Sequence, residues 1–451
     1  MQTLVWDMAA AWPFTLSEDC LTINVVRPSG YTKDAKLPVG VFIHGGGWTM
    51  DYSANGVYNL SFIVNESVKI SKPIIAVSFD YRLSAWGFLA SQDVLDAGVA
   101  NLGLKDQRLA LNFIKENIAA FGGDPEKVVI WGESAGGGNV WYQTTAYGGR
   151  DDGLFRGIIA ESGAEGTQPK NLTAPTVRYN NITRFVGCDT AADKLACLRS
   201  VPFETLNYAI TNLTSTSFYP IVDGDFIPDY SSNLLAEGKF TKTPLLAGTN
   251  SDEGTLFTAT PVDSDAIIAA NIKSLGPDAN TTTILMSLYP NVDSLGLPSA
   301  YQTTPGASVG SQYKRAIALS TDQLFLSQRR SKTDAWAKAG VDTYAYLFDS
   351  PLSGRPASFG TSHFAEIGYV FYNTLSLGYA SGQSPLENAT GPVLELAKLV
   401  CHMWVSFIHD LDPNNHDIAT AEKWPTYNAT GGYGQVFYFH PSGVSKEQYG
   451  R

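Results

Sequence analysis

The sequence predicts an α/β protein, with a central, mostly parallel sheet flanked by helices. Three observations carry that expectation. Short apolar runs bounded by turn residues alternate with stretches of helical periodicity through the first half of the chain. The middle runs are apolar throughout rather than alternating, as strands buried on both faces are. The composition is 44% hydrophobic and 12% aromatic over 451 residues, enough to fill a large core.

The strand candidates come in chain order. Cys20 to Arg27 (CLTINVVR) leads, then Val39 to His44 (VGVFIH), Ile74 to Tyr81 (IIAVSFDY) and Val128 to Glu133 (VVIWGE). Phe155 to Ala160, Pro244 to Gly248, Thr343 to Phe348 and Val436 to Phe439 follow. Between them, Leu104 to Phe121 reads as a helix with Leu109, Phe113, Ile114 and Ile118 on one stripe. It stops at Gly122-Gly123, where glycine can take the left-handed cap. Val393 to His409 is a second strong helix. The polar, turn-rich stretches 171–243 and 258–313 read as insertions over the core of one domain that spans the chain.

Charge and hydropathy remove several function classes. Only 16% of the residues are charged, and the net charge is -12 with a pI near 5.0, so no basic footprint for nucleic acid exists. Low charge with many aromatics also excludes global disorder. No run of about 18 apolar residues is present, so no transmembrane helix is expected. Met1 to Trp12 has no basic start and carries Asp7, so it is not a signal peptide. Yet glycosylation sequons occur at Asn59, Asn65, Asn171, Asn181, Asn212, Asn280, Asn388 and Asn428. Cys188 and Cys197 are also close enough to close one small loop, as in oxidising compartments. These two features point to a secreted, extracellular glycoprotein.

Gly132-Glu133-Ser134-Ala135-Gly136 matches G-x-S-x-G. A second match, Gly306 to Gly310, has no strand before it, so Ser308 reads as a loop serine. Ser134 follows a buried strand and precedes a helix, the context a nucleophile elbow requires. The amides at that helix start favour negative charge beside it. His44-Gly45-Gly46-Gly47-Trp48 follows another strand. Successive glycines let backbone N–H groups converge on a developing oxyanion, with Gly46 and Gly47 as donors and Ala135 as the third. His44 precedes the nucleophile and is assigned to structure.

A nucleophilic serine needs a base. Of six histidines, those after Ser134 are His363, His402, His409, His416 and His440. His402 and His409 belong to a helix, His416 to a polar turn, and His440 is a weak rival at a strand end. His363 lies in a loop after a strand, from which it can reach the elbow. The orienting acid is Glu253 or its neighbour Asp252, with Asp223 and Asp225 as further rivals. Spacing does not separate Asp252 from Glu253.

Together these residues resemble the type-B carboxylesterase/lipase family, which includes fungal lipases and cholinesterases. The resemblance runs through Ser17-Glu-Asp-Cys-Leu-Thr-Ile-Asn-Val, HGGGW, Tyr81-Arg-Leu-Ser-Ala-Trp-Gly-Phe and Asn101-Leu-Gly-Leu-Lys-Asp-Gln-Arg. It continues through Asn117-Ile-Ala-Ala-Phe-Gly-Gly-Asp-Pro, Trp131-Gly-Glu-Ser-Ala-Gly-Gly, Ser251-Asp-Glu-Gly and Ser362-His-Phe-Ala-Glu. It implies the α/β-hydrolase fold with large helical and loop insertions, and a serine ester hydrolase that needs no cofactor and no metal. By family pattern the acid is Glu253, Glu133 lines the site, Arg82 and Asp106 form an ion pair, and Cys188 pairs with Cys197. Cys20 and Cys401 are then expected as two free thiols, countable with a thiol reagent after denaturation.

The family places roughly 70 to 80 residues before the Glu-Asp-Cys-Leu strand, and here 17 precede Glu18. Residues 1–16 would be the remnant of a lid. A catalytically silent binding protein of the same fold is the alternative, opposed by the presence of all three triad residues. An inactive fragment is another. Trp48, Trp86, Trp141 and Phe257 are candidates to line an acyl site, with core packing as the competing role. The substrate class is a small-molecule or lipid ester, with interfacial lipid contact an open expectation.

Overall fold

A computed structural model describes residues 15–165, 172–213, 218–274, 276–292, 308–352, 355, 357–427 and 434–448. The proposed lid remnant falls almost wholly outside them, as do the sequons at Asn171 and Asn428.

Among the described residues, nine strands form one sheet. They are β1 (Ile23–Val26), β2 (Leu37–Ile43), β3 (Ile75–Phe79), β4 (Gly123–Glu133), β5 (Gly157–Glu161), β6 (Leu245–Asn250), β7 (Thr343–Phe348), β8 (Gln435–His440) and β9 (Gly443–Gln448). Their spatial order is β1-β3-β2-β4-β5-β6-β7-β8-β9. The pairs from β3 to β8 are parallel, and the two edge pairs, β1 with β3 and β8 with β9, are antiparallel. All eight strand candidates are present. The ninth strand, β9, carries no sequence signal, because Gly443-Val-Ser-Lys-Glu-Gln has little apolar content. Its hairpin with β8 supplies the pairing.

Alternation along the strands builds two cores. Val39, Val41 and Ile43 of β2, with Val128 and Ile130 of β4, face one. Phe42, Val129 and Trp131 face the other. Helices α2 (Leu102–Asn117) and α3 (Ala135–Gly149) cover the first side. Helices α1 (Leu60–Lys69) and α10 (Pro392–Asp410) cover the second. The stripe expected on α2 and the turn after it is half right, with Ile114 and Ile118 buried and Leu109 and Phe113 not. Leu104, Leu111 and Ile114 are buried, whereas Leu109 and Phe113 are 66% and 47% exposed. Polar residues take the inner face instead. Arg108 donates to Asp152 at 2.5 Å, and Gln107 accepts from Gln143 at 3.3 Å. These tertiary partners outweigh the apolar preference that the periodicity measured.

Within 171–243, helices α4 (Thr173–Phe185) and α5 (Phe203–Leu213) put Tyr179, Ile182, Leu206 and Ile210 into the first core. The stretch 258–313 differs. Helices α6 (Asp265–Lys273), α7 (Ala279–Leu288) and α8 (Tyr313–Thr321) close a small separate cluster around Val262, Ile268, Ile272 and Ile317. After α8 comes a π-helical turn, Asp322–Leu326, and then α9 (Ser327–Lys338).

Candidate active site

The parallel strands deliver the site residues at their C-terminal ends. Ser134 sits between β4 and α3 with φ 57° and ψ -124°, a conformation rare for a non-glycine residue. Its amide is held by Glu161 O at 3.0 Å, and its carbonyl accepts from Gly138 N at 2.9 Å. The turn is this tight because glycine lets chains pass close. A Cβ on Gly136 would lie 2.0 Å from Ile43 O.

His363 is fixed by contacts from β6 and the turn after it. Asn250 Nδ2 donates to Ser362 O at 3.0 Å, Asp252 N donates to Thr361 O at 3.0 Å, and Thr361 N donates to Asp252 Oδ2 at 2.9 Å. Its Nε2 lies 2.7 Å from Ser134 Oγ, and its Nδ1 lies 2.5 Å from Glu253 Oε2. Glu253, not Asp252, therefore faces the imidazole, and Asp252 braces the histidine loop. The other Glu253 oxygen accepts from Asn250 N at 2.7 Å and from the Ser162 hydroxyl at 2.5 Å. A buried carboxylate so hydrogen-bonded can carry its charge.

The glycine loop lies against the elbow. A Cβ on Gly45 would sit 3.0 Å from Ser134 Cβ. Gly46 and Gly47 come next, with φ 86° and 62°. No acceptor among the described residues takes the N–H of Gly46, Gly47 or Ala135. Trp48 packs behind this loop. Its indole N–H donates to Asn139 Oδ1 at 2.7 Å, and its ring meets Tyr219 edge-on at 5.5 Å. Glu133 Oε1 is 3.2 Å from His363 Nε2 and has no hydrogen-bond partner among the described residues. Burial, and then the charges of Glu366, Glu253 and Glu161, push the Glu133 carboxyl well above the usual range.

Of the aromatic candidates, only Phe257 reaches the triad, with its ring edge-on to His363 at 5.1 Å. Trp141 belongs to the core against Trp336, and Trp86 stacks on Phe203. The rivals are elsewhere. Asp223 accepts from Asn101 and Ile227, His402 sits between Asp417 and Glu66, and His440 bonds Ser442. Ser308 is exposed in a turn. Arg82 and Asp106 form a two-pronged ion pair, 2.7 Å on each prong. Cys188 and Cys197 are disulfide-bonded, and Cys20 and Cys401 are free.

Four residues near the triad carry weak sequence signals or none. Phe325, on the π-helical turn, lies 4.8 Å from the His363 ring. Ser162, Asn250 and Glu366 complete the polar surroundings, with Glu366 Oε2 accepting from Asn250 Nδ2 at 2.5 Å. Two of the four could have been found by pattern. Glu366 ends the Ser-His-Phe-Ala-Glu run, and Ser162 succeeds Glu161 as Ser134 succeeds Glu133.

The carboxylesterase family matches residues 2–449. The chain belongs to the carboxylesterase family. It is 36% identical to "Secreted lipase 1" of Botryotinia fuckeliana over 433 residues, covering 91% of this chain and 71% of that one. It is 36% identical to "Lipase 2" of Diutina rugosa, covering 92% and 73%. Among solved structures, Aspergillus niger EstA superimposes with a TM-score of 0.82 at 30% identity, covering 96% of this chain and 82% of that one. The fold is the expected α/β-hydrolase fold, and the protein is a carboxylic ester hydrolase. No described helix is long and apolar enough to cross a membrane.

Proposed function

We propose that this carboxylesterase works through an acyl-enzyme on Ser134. His363 Nε2 takes the serine proton as Oγ attacks the ester carbonyl, and returns it to the leaving alcohol. Glu253 accepts from His363 Nδ1 and stabilises the imidazolium. The amides of Gly46, Gly47 and Ala135 bind the oxyanion, and water then releases the acid. Glu133 lines the Nε2 side of the imidazole. The observation that carries this reading is the unbroken chain Ser134 Oγ–His363 Nε2 and His363 Nδ1–Glu253 Oε2, at 2.7 and 2.5 Å. Phe257 and Phe325 flank the imidazole and limit its motion.

The location we infer is extracellular. The disulfide, the sequons and relatives named secreted lipases support it. Contact with a lipid surface is supported by Ile267 of α6, Ile284 and Leu288 of α7, and Val292, all exposed. They lie on or just after the helices that enclose the small cluster, whose helix α8 holds the acid-bearing turn through Gly254 N donating to Thr321 Oγ1 at 2.9 Å. We read 171–243 and 258–313 as insertions on one domain.

Reaction with an organophosphonate ester, with peptide mapping of the product, tests the nucleophile. A label on Ser134 is expected, and a label on another residue would overturn the assignment. A chain-length series of p-nitrophenyl esters, with and without lipid vesicles, tests substrate class. Stimulation of long-chain hydrolysis by vesicles is expected. No stimulation would favour a small-ester enzyme.

A further inference from the structure

The surroundings of the triad hold more carboxylate than the mechanism uses. Glu133, Glu161, Glu253 and Glu366 are each 1% exposed or less. They come from the ends of β4 and β5, the turn after β6, and the residue before the helical turn Ile367–Val370. Asp51, Tyr346 of β7 and Tyr379 also act on this set or feel its charge. The basic side chain recorded against it among the described residues is His363.

These four carboxyls are not equally provided for. Glu253 receives two hydrogen bonds besides the imidazole, and Glu366 receives one from Asn250 and a long one, 3.5 Å, from Ser162. Glu161 receives one, from the indole N–H of Trp404 on α10 to Oε1. Its Oε2 is buried with no hydrogen-bond partner among the described residues. A full charge there would have one donor and neighbouring negative groups, and burying such a charge is prohibitively costly.

We propose that Glu161 is a neutral carboxylic acid throughout the working range, a positioning residue that anchors Trp404 and the strand end beneath Ser134 without adding charge beside His363. Burial, and then Glu366, act in the same direction, raising the acid well above the usual carboxylate range. The consequence falls on the base. A charged Glu161 would favour the imidazolium, so His363 would accept the serine proton only at higher pH. This inference rests on Ser134 and His363 being the catalytic pair.

The test is E161Q, whose amide keeps the acceptor for Trp404 and replaces the O–H by an N–H. Infrared difference spectra at pH 7, wild type minus variant, should show the C=O band of a protonated carboxylic acid. The acid limb of kcat/KM against pH should stay in place, with kcat/KM at pH 7 unchanged within about twofold. An ionised Glu161 would give no such band, and its removal would lower the acid limb by about one pH unit or more. Either result overturns the proposal. Should E161Q not fold, W404F serves: loss of the indole donor should shift the same band in the spectrum, and no acid band responding to it overturns the proposal. The band is also recorded in S134A, so the proton on Glu161 is read independently of whether Ser134 is the nucleophile.

Discussion

Glu133-Ser134 at the end of β4 and Glu161-Ser162 at the end of β5 are the same dipeptide on neighbouring strands, with Glu133 paired to Glu161 in the parallel register. Both serines have positive φ, 57° and 45°, and both glutamates are buried. Their hydroxyls nevertheless meet opposite ends of one chain. Ser134 faces His363 Nε2, and Ser162 donates to Glu253 Oε1. The segment C-terminal to each serine explains the difference. Ser134 begins helix α3, and the glycine loop after β2 lies across it. Ser162 leads into Gly163, whose Cβ position is crowded by Gly137 and the Trp141 indole. The local sequence thus sets the backbone, while the facing strands decide whether a serine hydroxyl meets the imidazole or the carboxylate.

The sharpest way to break this comparison is S134A. It should lower kcat/KM by about 10⁶-fold, by analogy with other triads, measured on p-nitrophenyl esters. If S162A had the larger effect, the two roles would be reversed. E253Q comes next. Keeping the shape while losing the charge should lower kcat by on the order of 10⁴-fold, read under saturating substrate. S162A should cost less, about 10- to 100-fold in kcat with KM little changed, because Glu253 keeps Asn250 N and His363.

The fourth test concerns stability. Burial, and then the charge of Glu253, push Glu366 from about 4.5 up to about 7. A carboxyl raised in the folded state binds more protons folded than unfolded between those values, so its contribution is present below pH 4.5 and lost as pH rises through 7. Urea unfolding at pH 5 and pH 8 should show a fall that is smaller in E366Q, by up to about 3 kcal/mol. An equal fall in both proteins would mean that Glu366 does not hold this proton. E161Q is the smallest expected change in activity of the set, and that silence distinguishes the β5 glutamate from the charged acid beside it.

The proposed nucleophile and base were legible because each sits in a short, local pattern. A strand, a tight turn and a helix announce Ser134. Glycines after β2 announce the amides, and a loop after β7 presents His363. The choice of Glu253 over Asp252 needed the family resemblance, since adjacent residues share every local feature. Phe325 had no signal, because a π-helical turn between α8 and α9 aims its ring. The Leu109 and Phe113 half of the stripe expected on α2 is exposed for a related reason. Arg108 and Gln107 found partners on distant segments, which periodicity does not see.

By itself the sequence determined the order of eight strands, two of the long helices, the elbow and the glycine loop, since φ/ψ restriction and apolar patterning act over a few residues. Only the tertiary structure decided which hydroxyl braces the Glu253 carboxylate and which rings flank the imidazole. It also brought four glutamates into one buried cluster, where burial and neighbouring carboxylates raise Glu133, Glu161 and Glu366. Those outcomes are set by distances between strands and by burial, and both exist only once the sheet has closed over its two cores.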